Sequence, residues 1–169
     1  MLVAAMNPCP CGYFGHPTRP CTCSPSSASR YLSRISGPLL DRFDLHVEVP
    51  PVEYEQLSSR TAAESSAEIR KRVNRARELQ RERYKGTAIL TNADLPPSLL
   101  RRYCALTDEA SGLMKTAFER LELSARAYDR ILKVARTIAD LDGSETLQNR
   151  HLAEAIQYRS LDRKYWNQR

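Results

Sequence analysis

Residues 35–49 read Ile-Ser-Gly-Pro-Leu-Leu-Asp-Arg-Phe-Asp-Leu-His-Val-Glu-Val, and this stretch decides the fold that we expect. Its Gly-Pro pair predicts a tight turn, and the two leucines that follow begin a short helix. Over residues 45–49 apolar and polar side chains alternate, which predicts a strand with one face on a core. Arg42 precedes this strand at an element boundary, where functional residues tend to gather, so it is our main candidate for a functional residue.

A second strand is expected at the start of the chain. Residues 2–6 read Leu-Val-Ala-Ala-Met, a continuously apolar run typical of a strand buried on both faces of a parallel sheet. Its neighbours would require long crossover helices, so we expect the chain to begin inside an α/β domain. Asn7 would then lie at the C-terminal end of the strand, the edge where ligands bind in open α/β sheets. The alternative is that Asn7-Pro8 only begins a turn.

Four of the five cysteines lie in one short loop and predict a metal site. Cys9, Cys11, Cys21 and Cys23 form two C-x-C pairs separated by nine residues. No secretory signal is recognised, so we expect the reducing cytoplasm, where a metal site is favoured over disulfides. Four thiolates can bind Zn²⁺ as a closed structural site, and His16 could replace one of them. The alternative is a cysteine-rich loop that binds no metal, and Cys104 is expected to be a buried, inert thiol.

Composition sets outer limits on the function. The 169 residues are 41% hydrophobic, which is enough for one core. No apolar run reaches the length of about 18 residues that a membrane helix needs, so no membrane partner is expected. The net charge of +6 suits an anionic partner, although an excess of this size alone decides little.

Residues 64–84 predict the longest helix, and its surface is strongly basic. Capping boxes that begin at Thr61 or Ser65 are its predicted starts. From residue 70 to residue 85 the sequence has eight arginines and lysines but only two acidic residues, which suggests a nearby polyanion. Arg70, Arg72 and Arg75 are therefore candidates for DNA binding, and the alternative is a solvated charged face.

The rest of the chain predicts a bundle of helices. Helices are expected to begin at Pro96-Pro97, after Thr107, after Ser124 and near Asn149. Arg126 lies in the first turn after Ser124, where the helix dipole disfavours a cation unless an anion also binds there. The alternative is a surface ion pair of Arg126 with Glu122 or Asp129, of little energetic value.

Four long motifs in this chain resemble one known family. They read LVAAMNPCPCG at residues 2–12, YLSRISGPLLDRFD at 31–44, SSAEIRKRVNRAR at 65–77 and LSARAYDRILKVARTIAD at 123–140. Together they closely resemble the magnesium chelatase-like AAA+ ATPases of the bacterial ComM/YifB group. The resemblance covers nearly the whole chain.

The resemblance implies a fold and three nucleotide-sensing residues. Residues 1–51 would be the C-terminal part of an α/β AAA+ core that includes the cysteine loop 9–23, residues 52–93 a linker and an insert-like long basic helix, and residues 94–169 an all-α lid. The fold would thus be a mixed α/β remnant followed by helices, predominantly α. Asn7 is similar to the sensor 1 residue, Arg42 to the arginine finger and Arg126 to the sensor 2 arginine. These residues would sense the state of the ATP and Mg²⁺ bound at the subunit interfaces of a homo-hexameric ring.

The sequence lacks the motifs that bind the nucleotide itself. It contains no G-x-x-x-x-G-K-[ST] and no acidic strand end of the Walker B type, so we expect this chain alone not to hydrolyse ATP. The resemblance implies an ATP-driven DNA branch-migration helicase that acts during the integration of transforming DNA. Two alternatives remain open: a magnesium chelatase-type motor that acts on a tetrapyrrole partner, and a non-enzymatic, zinc-stabilised nucleic-acid-binding module.

Overall fold

The protein is predominantly helical in the computed structural model, which describes residues 1–52, 54, 58 and 63–159. The described residues form seven α-helices: α1 (Pro25–Leu32), α2 (Gly37–Leu40), α3 (Ser66–Arg83), α4 (Pro97–Tyr103), α5 (Asp108–Leu121), α6 (Ala125–Leu141) and α7 (Asn149–Gln157). A short 3-10 helix, Asn92–Asp94, connects α3 to α4. None of these helices has both the length and the apolar composition needed to span a bilayer.

Side-chain caps set the starts of the longer helices. The hydroxyl groups of Ser65, Thr107 and Ser124 each accept a hydrogen bond from the backbone N–H three residues later, at the first turns of α3, α5 and α6. Each bond satisfies a donor that would otherwise have no partner within the helix. The helix starts predicted at these three positions are therefore confirmed. The competing start at Thr61 lies outside the described residues.

Helix α6 is the centre of the core. It packs against α3, α4, α7 and the 3-10 helix, while α5 packs against α7. The buried side chains that form this core include Ile131, Leu132, Ala135, Leu147 and Leu152. Cys104 belongs to the same cluster and is only 2% exposed, as expected for a buried thiol. Burial raises its pKa to about 11.

A buried group of charges joins α3 to α6. Asp140 is 1% exposed and accepts hydrogen bonds from the side chains of Arg83, Arg136 and Asn92. Arg136 also donates to the carbonyl oxygens of Ser144 and Glu145. Every charge in this group therefore has a partner, which is the condition under which buried charges are tolerated.

The α/β part of the predicted fold is not confirmed. Residues 2–6 and 45–49 are not strands, and the only β-pairing in the described part of the chain is a single parallel bridge between Leu106 and Leu147. Val3 and Val49 are 81% and 82% exposed. A strand is stable only when a neighbouring strand satisfies its backbone groups, and the described residues provide no such neighbour for either segment.

The domain boundaries predicted at residues 51 and 93 stay predictions. Most of the predicted linker, residues 53, 55–57 and 59–62, lies outside the described residues, as do residues 160–169 at the end of the predicted lid.

Candidate functional site

The four clustered cysteines meet in space. The Cys9 Sγ lies 3.4 Å from the Cys11 Sγ and 3.7 Å from the Cys21 Sγ, and the Cys11 and Cys21 sulfurs are 3.5 Å apart. The Cys23 Sγ completes a group in which all sulfurs lie within 4.8 Å of one another. None of these cysteines is in a disulfide. The group can hold a metal ion, and it is the one such cluster among the described residues.

Backbone hydrogen bonds make one of these thiols acidic. The N–H of Tyr13 donates to the Cys11 Sγ, and with further hydrogen bonds this lowers the pKa of Cys11 to about 5 against the opposing effect of desolvation. The N–H of Cys11 acts to lower the pKa of Cys23, but desolvation and the other thiols outweigh it and raise that pKa to about 12. Four sulfurs this close cannot all carry negative charge unless a cation joins them.

Asn7 lies against the cysteine loop. A Cβ added to Gly12 would lie 3.9 Å from the Cγ of Asn7, so the asparagine side chain packs over the turn that Cys9 begins. The N–H of Gly12 closes this turn on the carbonyl oxygen of Cys9 at 3.0 Å, and Gly12 has a φ of +81°, which favours glycine. The exposed Asn7 side chain thus lies against the loop and not at a strand end.

Arg42 follows α2 with its side chain exposed to solvent. Ser36 caps this short helix, and Pro38 sets the conformation of its first turn. The Nη1 of Arg42 donates to the carbonyl oxygen of Pro38 at 2.8 Å. Within the described residues the guanidinium has no other partner, so most of its five N–H donors are available.

Two other arginines fix the segment that carries Arg42. Arg159 is 2% exposed, and its guanidinium donates to the Asp41 Oδ1 at 3.2 Å and to the carbonyl oxygen of Phe43. Arg130 of α6 forms an ion pair with Asp44. We call these contacts, together with the hydrogen bond from His46 N to the carbonyl oxygen of Tyr158, the segment clamp.

Arg130 and Arg159 were not predicted from the sequence. Both partners lie far away in the chain: Arg130 and Asp44 are 86 positions apart, and Arg159 and Asp41 are 118 positions apart. The i, i+4 spacing of Arg126 and Arg130 places both on one face of α6, which was the available signal for Arg130. We find no sequence signal for Arg159.

Arg126 is exposed in the first turn of α6, as its position after Ser124 predicts. Neither Glu122 nor Asp129 forms an ion pair with it, and no other described residue does so. The unfavourable position near the positive end of the helix dipole is therefore not offset within the described part of the chain. Because Arg130 lies one turn further along the helix and pairs with Asp44, the segment clamp brings the helix that carries Arg126 to the segment that carries Arg42.

Helix α3 projects its basic residues into solvent. In Ser66–Arg83 only Ala76 and Gln80 are buried, and the apolar residues Ile69 and Val73 are each 44% exposed. Of the three candidate DNA-binding residues, Arg72 pairs with Glu64, Arg75 lies against Gly143, and Arg70 has no partner in the described part of the protein. Arg77 and Arg81 are also exposed and unpaired there.

Arg70, Arg77 and Arg81 lie on one face of α3. They are separated by seven and eleven residues, about two and three helical turns. We call these three residues the basic stripe. Arg77 and Arg81 were not among the candidate DNA-binding residues, because the sequence alone does not distinguish paired from unpaired arginines.

Comparison with known proteins identifies related sequences. Residues 63–159 match the family described as magnesium chelatase, subunit ChlI C-terminal, and residues 1–57 match magnesium chelatase, subunit ChlI. The chain is 46% identical to the competence protein ComM of Haemophilus influenzae over 164 residues, and 44% identical to the uncharacterized protein YifB of Escherichia coli over the same length. It is 38% identical over 160 residues to the uncharacterized protein Rv2897c of Mycobacterium tuberculosis.

These alignments cover this chain almost completely but the relatives only in part. They include 96% of this chain for ComM and YifB and 94% for Rv2897c. The chain spans 31% of the length of each of these relatives.

Proposed function

This chain belongs to the family of magnesium chelatase ChlI C-terminal domains, and we propose that it supplies the nucleotide-sensing residues of a ring-forming AAA+ ATPase similar to ComM. Arg42 acts as the arginine finger, Arg126 as the sensor 2 residue and Asn7 as the sensor 1 residue. The ring is a homo-hexamer in which these side chains face the ATP of a neighbouring subunit.

The segment clamp is the observation that carries this proposal. It ties the segment of Arg42 to the helix of Arg126 through the pair between Arg130 and Asp44. Both arginines are exposed, and no acidic side chain among the described residues neutralises either of them. Exposed cations without counter-ions, on two segments that the clamp joins, suit a multiply charged anion such as the phosphate chain of ATP.

The chemistry requires cations at the transferred phosphoryl group. Negative charge is redistributed over its oxygens in the transition state, and a fixed arginine stabilises that charge at no cost of reorganisation. The described residues contain no carboxylate cluster for Mg²⁺, and the sequence has no phosphate-binding loop, so Mg²⁺ and the phosphate cradle would come from elsewhere in the assembly. Asn7 would orient the attacking water through its side-chain amide.

Removal of the Arg42 guanidinium tests the finger assignment. In an assembled ATPase that contains this sequence together with a phosphate-binding loop, Arg42→Ala should lower ATP turnover by about 10³-fold. Nucleotide affinity, measured by fluorescent nucleotide titration, should change little. Arg34→Ala is the matched control, because Arg34 is also exposed but lies before α2. Full turnover by the Arg42→Ala protein would refute the assignment.

The basic stripe supports DNA as a second ligand of the same assembly. Arg70, Arg77 and Arg81 present three unpaired charges on one face of an exposed helix, a pattern suited to consecutive phosphates of a nucleic acid. A motor that acts on a tetrapyrrole has no need of this face. We therefore favour DNA branch migration over a chelatase-type activity.

A further inference from the structure

The sulfur positions of the cysteine loop suit a single, tetrahedrally coordinated ion such as zinc. In a tetrahedral site with Zn–S bonds of about 2.3 Å, neighbouring sulfurs are about 3.8 Å apart. The separations among the Cys9, Cys11 and Cys21 sulfurs are 3.4, 3.5 and 3.7 Å, and the Cys23 sulfur lies within 4.8 Å of each of them. Three of the four thiols therefore already lie within a few tenths of an ångström of the zinc arrangement.

Other uses of four clustered thiols fit the separations less well. A disulfide needs sulfurs about 2.05 Å apart, well below the shortest distance observed. An iron–sulfur cluster needs wider separations, because its cysteines bind different iron atoms around a core of inorganic sulfide. Four sulfurs around a single point are the ligand set of a closed structural zinc site.

Backbone donors around the loop support the same conclusion. The N–H groups of Tyr13 and Thr22 point at the Cys11 sulfur, and the N–H of Cys23 points at the Cys21 sulfur. Such bonds orient metal ligands and disperse the negative charge of thiolates. Cys9 is fully buried, so its sulfur faces the other three and not solvent.

We propose that Cys9, Cys11, Cys21 and Cys23 bind one Zn²⁺ ion, and that this ion fixes the turn on which Asn7 rests. Asn7 is two residues before the first ligand and packs on Gly12, directly after the second. The metal would thereby hold the turn beside a sensor residue. This last step rests on the proposed role of Asn7, whereas the zinc site itself does not.

Metal analysis of the purified chain tests the site. Protein prepared in zinc-supplemented medium should contain about one zinc per chain by inductively coupled plasma mass spectrometry. Cys11→Ser and Cys21→Ser should each lose most of that zinc, and the matched control Cys104→Ala, in the helical core, should keep it. Zinc near zero in the unmodified chain, iron in its place, or undiminished zinc in Cys11→Ser would overturn the proposal.

Cobalt substitution keeps the test valid if a cysteine variant does not fold. The unmodified chain, stripped with a chelator and reloaded with Co²⁺, should show the visible absorption bands of tetrahedral cobalt bound by thiolates. A spectrum of octahedral, oxygen-ligated cobalt would contradict a four-thiolate site.

The effect on Asn7 has its own readout, independent of ATP. When zinc is removed, the side-chain amide resonances of Asn7 should shift and broaden in NMR spectra. Those of Asn92, held in the helical core by Tyr84 and Asp140, should stay unchanged and serve as the control. Unchanged Asn7 resonances after zinc loss would refute the positioning role while leaving the zinc site intact.

Discussion

Asp140 is the residue on which the buried charges of the core depend. Its carboxylate is the shared partner of Arg83 and Arg136, and its hydrogen bond to Arg83 is the main cause of the raised pKa of that arginine. Arg136 is 3% exposed, so it cannot turn to water if this partner is lost. The main energetic effect of removing Asp140 is therefore that Arg136 remains as a buried charge without a counter-charge. The attraction between the two charges matters less.

Replacement of Asp140 should destabilise the helical core strongly. Asp140→Asn leaves a buried guanidinium without its counter-charge, which should lower the free energy of unfolding by about 3–5 kcal/mol in urea titrations. The control is Glu68→Gln, which removes the exposed partner of Lys71 and should cost less than about 1 kcal/mol. Equal losses in the two variants would show that the Asp140 group is not effectively buried.

Cys104 gives the core a measurable dependence on alkaline pH. Its pKa is 9.0 without burial and about 11 in the folded chain, so the unfolded state releases this proton first. The protonated Cys104 thiol makes its full contribution to stability below pH 9.0, and this contribution is lost as the pH rises towards 11.

Cys104→Ala should reduce this alkaline loss. The unmodified chain should lose about 1–3 kcal/mol more stability than Cys104→Ala between those two pH values, as measured by urea unfolding at each pH. Tyr84→Phe serves as a control, because burial raises the pKa of Tyr84 too and its titration adds a separate loss. Parallel pH profiles for the unmodified chain and Cys104→Ala would contradict the burial of this thiol.

At the scale of elements, the long helices could be predicted from the sequence and the strands could not. The starts of α3, α5 and α6 depend on a hydrogen bond between the capping side chain and the backbone N–H three positions later. Both groups are close together in the sequence, so these starts can be predicted from it. Residues 2–6 have the apolar run of a buried strand, and residues 45–49 have the alternation of a half-buried strand. A strand also needs a neighbouring strand from another part of the chain to pair with its backbone. The same limit explains why the cysteine cluster could be predicted from spacing, whereas the partners of Arg130 and Arg159 could not.

Helix α3 carries the prediction for nucleic acid. Reversal of charge in Arg70→Glu/Arg77→Glu should weaken DNA binding and reduce the slope of log affinity against log salt by about 2, since two phosphate contacts are lost. The matched control Arg34→Glu/Arg120→Glu changes the net charge equally at exposed positions outside α3. Fluorescence anisotropy over a series of salt concentrations measures both. An unaltered slope in the α3 variant would mean that the basic stripe is only solvated.

At the scale of the whole molecule, the segment clamp joins distant parts of the chain. Arg159 reaches three groups between Leu40 and Phe43: the carbonyl oxygens of Leu40 and Phe43 and the carboxylate of Asp41. The clamp thus sets how the segment of Arg42 sits on the helices that follow.

Loss of Arg159 should release that segment without unfolding the core. In Arg159→Ala, amide hydrogen exchange at residues 43–46 should accelerate about 10-fold or more, because a hydrogen-bonded charge is removed from a buried position. Arg130→Ala, which removes the more exposed contact with Asp44, should accelerate it by less than about 5-fold. Exchange in α6 should stay the same in both variants. Unchanged protection of residues 43–46 in Arg159→Ala would refute the clamp.

The central claim is that Arg42 acts on the nucleotide of a neighbouring subunit, and mixed rings test it most directly. One preparation carries Arg42→Ala with an intact phosphate-binding loop, and the other carries an intact Arg42 with a phosphate-binding loop that cannot bind ATP. Each alone should be nearly inactive. Because an intact finger then faces an intact nucleotide site at some interfaces, mixing them should restore part of the ATP turnover. Mixed rings as inactive as the two separate preparations, despite proven co-assembly, would contradict the account.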